Sequence, residues 1–260
     1  MTRPAMLALD VAILSERGGR PHNEDACGHW HSTTQLCCVV ADGAGGHGGG
    51  AVAARLAVAR MLQGFAARPT ELGDDLQRLV RATNQAVRDG RVPGTENAEM
   101  YTTLVCLVVD FAEHRAHWAH AGDSRLYRFR GGRIIGQTED HSVVQSLVVA
   151  GMLTQAQTRG HPNRSELRSA LGTADHDLEV GDSGAACDVE PGDAFLLCTD
   201  GVWEHVTEPE LEAMLAGARS PHHWLDSIEA AVKAATCHTR SHDNFTALCV
   251  WATDASAAGH

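Results

Sequence analysis

Strand-like and helix-like segments are not shuffled together in this sequence; they arrive in blocks. Short runs rich in Val, Leu, Cys and aromatic residues, bounded by Gly, Asp or Pro, occupy 6–14, 26–31, 35–41, 102–111, 115–121, 125–130, 133–137, 177–187, 194–199 and 245–252. Helical periodicity occupies 49–66, 72–89, 141–151, 208–217 and 222–237. Strands therefore come two to four at a time across short turns, and helices come in pairs. A doubly wound parallel sheet needs strand and helix to alternate, so that class is set aside. The pattern predicts a layered α+β protein with largely antiparallel sheets covered by helices. There is no internal repeat, low-complexity block or Pro/Ser-rich linker. One domain over 1–252 is expected, with 253–260 as a frayed tail.

Charge and cysteine usage narrow the function. The 260 residues include 21 Lys and Arg against 33 Asp and Glu, a formal charge of −12. A chain that grips nucleic acid or an anionic membrane through a basic face has the opposite balance. The eight cysteines contain no C-x-x-C pair, which argues against a zinc knuckle or a thioredoxin-type motif. Several sit inside apolar runs (LCCVV, LVCLVV, FLLC, TALCVW), where Cys behaves as a small hydrophobe. Reduced core thiols, and hence a reducing compartment, are expected. The first apolar stretch is broken by Asp10, a poor signal peptide, and no run reaches the roughly 18 apolar residues of a membrane span. The expectation is a cytoplasmic monomer that neither enters a membrane nor binds nucleic acid.

Three carboxylates occupy the same kind of place. Asp42 ends LCCVVA, Asp200 ends FLLCT, and Asp243 precedes NFTALCVW, so each lies at a strand terminus. Asp42 and Asp200 are each followed by Gly, which is also a plain turn signal. If the three strand ends meet, mutual repulsion forces protonation unless cations sit between the carboxylates. An all-oxygen donor set favours Mg²⁺ or Mn²⁺ over zinc. The stretch Gly43-Ala-Gly-Gly-His-Gly48 has the form G-x-G-x-x-G after a strand and before a helix. A dinucleotide site would need a second strand soon after that helix, whereas another helical stretch follows, and Asp42 would repel a pyrophosphate.

Six motifs in order carry a resemblance. Arg20-Pro-His-Asn-Glu-Asp-Ala26, Val39-Val-Ala-Asp-Gly-Ala-Gly-Gly-His47, Ala121-Gly-Asp-Ser-Arg-Leu-Tyr127, Thr138-Glu-Asp-His-Ser142, Leu196-Leu-Cys-Thr-Asp-Gly201 and Asp243-Asn-Phe-Thr246 span almost the whole chain. The series resembles the metal-dependent serine/threonine protein phosphatases (the PPM, or type 2C, family), in their bacterial single-domain form. The resemblance implies a four-layer α-β-β-α sandwich of two antiparallel sheets flanked by helices, with two Mn²⁺ or Mg²⁺ ions, or three, at the sheet edges. It implies that Asp42 bridges two ions, that the Gly43 carbonyl binds one, and that Asp200 and Asp243 complete the first site. Glu24 would orient metal-bound water, Arg20 would grip phosphate, and Asp123 would hold a weaker third ion. The implied reaction is hydrolysis of protein phosphoserine and phosphothreonine by in-line attack of a metal-bridging hydroxide. Phosphoproteins and a serine/threonine kinase acting in opposition are the implied partners.

Departures from the family pattern matter. Eukaryotic relatives place a His, a proposed general acid, directly after Asp-Gly, and here that position is Ala44. His47 fits the family's Gly-Gly-His turn and is not a substitute. Tyr101 stands where bacterial relatives have Gly before Thr-Thr. The 141–180 stretch corresponds to a variable flap that shapes substrate choice. The alternative is a catalytically weak or dead member acting as a regulatory binding module; such proteins lose a metal Asp, and none is missing here.

Overall fold

In the computed structural model, residues 7–44, 48–69, 73–239 and 241–255 are described. One sheet has the spatial order β1 (Leu7–Glu16), β12 (Phe245–Asp254), β11 (Ala194–Cys198), β7 (Arg125–Arg130) and β8 (Arg133–Gln137). The other runs β10 (Cys187–Asp188), β6 (Arg115–Ala121), β5 (Leu104–Asp110), β3 (Gln35–Ala44) and β2 (Asp25–His31). Two short strands join its path, β4 (Tyr101–Thr102) on β3 and β9 (Gly181–Asp182) on β6. Every pairing between these strands is antiparallel. The helices are α1 (Gly49–Ala67), α2 (Gly73–Asp89), α3 (Val143–Val149), α4 (Gln155–Thr158), α5 (Asp200–Trp203), α6 (Glu208–Gly217) and α7 (Pro221–Thr236).

Strand β3 shows why the layers stack. Its alternate residues Leu36, Cys38 and Val40 enter the core between the sheets, against Leu126, Phe195, Leu197 and Leu248. The intervening Cys37, Val39 and Ala41 pack beneath α1 and α2 with Ala53, Ala54, Ala57 and Met61. Both faces of the strand are dry, so its apolar run is continuous rather than alternating. Small side chains on both partners let α1 lie close to the sheet. A third core places Trp224, Leu225, Ile228 and Leu211 of α6 and α7 on the outer face of the first sheet. Three cores separate four layers, as expected.

Local signals account for the helix ends. Ser142 accepts from the Gln145 amide at 3.2 Å and starts α3, while Ser220 accepts from His223 and Pro221 opens α7. Two expectations are corrected. The predicted strand 177–187 is two two-residue strands parted by a turn at Gly184, whose φ is +67°. Asp-Ser-Gly turn chemistry outweighs strand propensity there. Strand β3 also continues past Asp42 to Ala44, because β4 pairs with Gly43 and Ala44. Tyr101, the departure from family wording, pairs across from Ala44 and lies under the Arg91 guanidinium at 4.5 Å. All eight cysteines are free and five are buried. Among the described residues no helix is long and apolar enough to cross a membrane. The expected turn role of His47 and the last residues of the expected tail, 256–260, lie outside the described residues.

Candidate active site

Chain segments far apart in sequence end at one cavity of about 810 Å³. Arg20, Glu24, Asp42, Gly43, Asp123, Asp200 and Asp243 all line it, so the seven residues expected to bind metal, water or phosphate share one cavity. The flap contributes Ser165 and Leu167 to the same wall. A second cavity of about 480 Å³, lined by His120, His141 and Arg168 among others, contains none of those seven residues.

Asp42 is held through its backbone. Its amide donates to Thr103 Oγ1 at 2.9 Å, and its carbonyl accepts from the Thr103 amide and the Thr102 hydroxyl, each at 2.8 Å. Gly43 is a glycine for a steric reason. A Cβ there would stand 2.2 Å from the Gly50 carbonyl oxygen and 2.6 Å from that of Glu24. The β3 end, the start of α1 and the Glu24 backbone thus meet with no room for a side chain.

The other side of the cavity is closed in the same way. Asp200 opens α5, and a Cβ on Gly201 would stand 2.0 Å from the Asn244 carbonyl oxygen. Asn244 stitches the 17–24 loop to β12. Its Oδ1 accepts from the Glu24 amide at 2.8 Å, and its Nδ2 donates to the carbonyls of Arg17 at 2.6 Å and His22 at 2.9 Å. Arg20 Nη2 donates to Asp243 Oδ2 at 2.7 Å, with both side chains about half exposed at the cavity mouth. The sequence reading missed Asn244, which stands inside the last quoted motif, and gave no role to Thr102 and Thr103, the Thr-Thr that follows Tyr101.

It also missed Asp25. This carboxylate lies directly across from Asp42 in the β2–β3 register and accepts from Thr199 Oγ1 at 3.0 Å. Burial, reinforced by the charge of Asp243, pushes its pKa up to about 7 against the lowering effect of the Thr246 and Thr199 hydroxyls. Burial first, then Asp25, Asp200, Asp123 and Asp243, pushes Asp42 well above the carboxylate range. Asp200 is raised by burial and then by Asp123 and Asp243. Asp123 rises to about 7 through burial and the neighbouring Asp140, opposed by Arg125. Burial also raises Glu24, opposed by Arg20.

These residues fit a divalent cation. Asp25 Oδ1 and Asp200 Oδ1 are buried with no hydrogen-bond partner among the described residues, a costly state for a carboxylate oxygen. The clustered side chains raise one another's pKa values, and a bound cation relieves that repulsion while leaving the carboxylates ionised. The donors are oxygens, suited to Mg²⁺ or Mn²⁺. Among the described residues no three or more His, Cys, Asp or Glu form a ready-made ligand cage. Mg²⁺-type sites keep several waters and use few protein ligands, so they do not require one.

A family model described as Protein phosphatase 2C matches residues 15–227. The chain belongs to the protein phosphatase 2C family. It is 35% identical over 213 residues to the serine/threonine protein phosphatase PstP of Mycobacterium tuberculosis, covering 80% of this chain and 39% of PstP. The present chain thus spans well under half of that relative. It is 33% identical over 220 residues to the serine/threonine phosphatase stp of Listeria monocytogenes, covering 82% of this chain and 85% of stp. The crystal structure of the Mycobacterium tuberculosis phosphatase PstP/Ppp superposes with a TM-score of 0.77 at 31% identity, over 94% of this chain and 98% of that one. The PstP catalytic domain with two manganese ions superposes at 0.76 with 29% identity, over 95% of this chain and 100% of that one. For this protein phosphatase 2C member, the type 2C resemblance and the layered antiparallel architecture read from the sequence are both borne out.

Proposed function

We propose that this chain is a metal-dependent protein phosphatase that hydrolyses phosphoserine and phosphothreonine in proteins. The observation behind this reading is the convergence of Asp42, Asp200 and Asp243 on one cavity whose mouth carries Arg20. Divalent cations bound there supply an acidified water at neutral pH and neutralise charge on the phosphoryl group. Asp42, Asp200, Asp243 and the Gly43 carbonyl hold the cations, with Asp123 holding a weaker one. Glu24, raised by burial and fixed through its amide to Asn244, accepts a proton from water. Arg20 presents a planar, permanently charged fork to the phosphoryl oxygens. Ala44 offers no proton donor, so the alcohol leaving group takes its proton from solvent water in the cavity.

The manganese of the PstP complex supports Mn²⁺ as one working ion for this chain, with Mg²⁺ the other candidate. Substrates are phosphoproteins, a serine/threonine kinase supplies them, and the enzyme acts in the cytoplasm as a monomer. The test is hydrolysis of a phosphothreonine peptide after exhaustive EDTA treatment and again after addition of Mn²⁺. Activity should vanish and return. Full activity surviving chelation overturns the reading.

A further inference from the structure

Behind the cavity lies a charged pair that does not face it. Arg125 is 2% exposed and Asp140 is 7% exposed. Arg125 Nε donates to Asp140 Oδ1 at 2.9 Å and Nη2 to Oδ2 at 2.8 Å, a two-point contact, while Nη1 donates to the Tyr127 hydroxyl at 3.0 Å. The guanidinium also lies over the Trp203 ring, with Cζ 3.7 Å from the ring centroid. Trp203 closes the one-turn helix α5 that Asp200 opens, and its Nε1 donates to the Asp123 carbonyl at 2.9 Å. One buried cation therefore touches β7, the segment leading into the flap, and the turn carrying Asp200. Through Trp203 it reaches the backbone of Asp123.

Stability alone does not account for this arrangement. Buried ion pairs are replaceable by well-packed apolar groups with little loss. A four-residue helix, in contrast, cannot hold its own orientation and depends on tertiary contacts. We propose that Arg125 is a positioning residue of the metal site, setting Asp123 and Asp200 relative to one another through Trp203 and Asp140. The inference rests on reading the cavity as a divalent-cation phosphatase site. Arg125 reaches neither substrate nor ion, and Arg20 at the mouth is untouched by it. Its loss belongs in metal affinity rather than in substrate affinity.

The test uses the full chain with Arg125→Lys and, separately, Trp203→Phe, and Mn²⁺ alone as the binding probe. Trp203→Phe keeps an aromatic ring beneath the guanidinium and deletes the N–H donated to Asp123 together with part of the buried indole volume, a packing loss that the thermal midpoint reads. Calorimetric Mn²⁺ titration, the thermal midpoint and steady-state kinetics against Mn²⁺ concentration are read on each preparation. Both variants should need roughly 10-fold more Mn²⁺ for half-saturation, at the lower end of what outer-shell partners contribute. KM for a phosphothreonine peptide at saturating Mn²⁺ should stay at the wild-type value, and excess Mn²⁺ should restore kcat in Trp203→Phe. A purely structural role lowers the thermal midpoint and the folded fraction while leaving Mn²⁺ affinity unchanged; that result overturns the proposal. Should Arg125→Lys fail to fold, Trp203→Phe decides alone. Wild type that binds Mn²⁺ without hydrolysing the peptide defeats the functional reading instead, and the calorimetric comparison still judges the positioning role.

Discussion

At the residue scale, Arg20 and Asp42 share a cavity and have separable tasks. Arg20 forms a half-exposed pair with Asp243, and such pairs add about 0–1 kcal/mol to stability. Arg20→Ala should therefore fold normally. Removing its positive charge also takes away a competitor for Asp243, so Mn²⁺ affinity should hold or tighten while KM for a phosphopeptide rises. Arg20→Lys should recover only part of the loss, because a point charge cannot reproduce a planar fork. Calorimetry and kinetics on one preparation check this, and unaltered kinetics or weakened Mn²⁺ binding would remove Arg20 from the phosphate role. Asp42→Asn should act oppositely. It should weaken Mn²⁺ binding and lower kcat by at least about 10²-fold, the scale of a lost electrostatic contribution to a transition state.

At the scale of elements, the cavity exists because β3, α1 and the Glu24 backbone approach without side chains between them. Gly43→Ala places a Cβ 2.2 Å from a backbone oxygen of Gly50, an atom that cannot rotate aside. Gly136 in β8 provides the control, since a Cβ there meets nothing within 4 Å. Denaturant titration should show Gly43→Ala destabilised by about 1–3 kcal/mol or more and Gly136→Ala nearly neutral. Equal midpoints would mean that the two elements do not need their close contact. The flap is tied to the same region by Arg164, whose Nε meets Glu204 Oε1 at 2.6 Å, just beyond α5.

Across the whole molecule, folding concentrates carboxylates that the unfolded chain keeps apart. Asp25 and Asp123 have folded pKa values near 7, and Asp42 and Asp200 are raised further in the same direction. A carboxylate whose folded pKa is raised binds protons more tightly in the native state. Its stability contribution is present below the unfolded value of about 3.9 and is lost as pH rises toward the folded value. The buried His120 and His141 are lowered, His141 to about 4, so they oppose that trend between roughly pH 4 and 6.5. A difference measurement separates the two effects. In EDTA, the thermal midpoint of Asp200→Asn minus that of wild type should be small near pH 4 and grow as pH rises toward 7 and above. Each kcal/mol relieved is worth roughly 2–4 °C in a domain of this size. Mn²⁺ should shrink or reverse the difference. A difference independent of pH would mean that Asp200 carries no such strain.

Much of this architecture is legible in the order of residues along the chain. Strand composition, turn residues and cap signals act between near neighbours, so a run such as LCCVVADG announces a buried strand with a carboxylate and a glycine near its end. The 177–187 run misled because a two-residue pairing segment and a turn have the same composition as a weak strand. Residue order alone carries the set of elements, the carboxylates at their ends and, through six ordered motifs, the family. The meeting of those ends was decided only in three dimensions. Arg20 reaches Asp243 across 223 positions, Asn244 reaches Glu24 across 220, and Thr199 reaches Asp25 across 174. No local pattern encodes such contacts. Asp25 acquires its surroundings from the packing of the two sheets, and Arg125 from Trp203 and Asp140 packed against β7; burial in a shared low-dielectric space is a property of the folded whole.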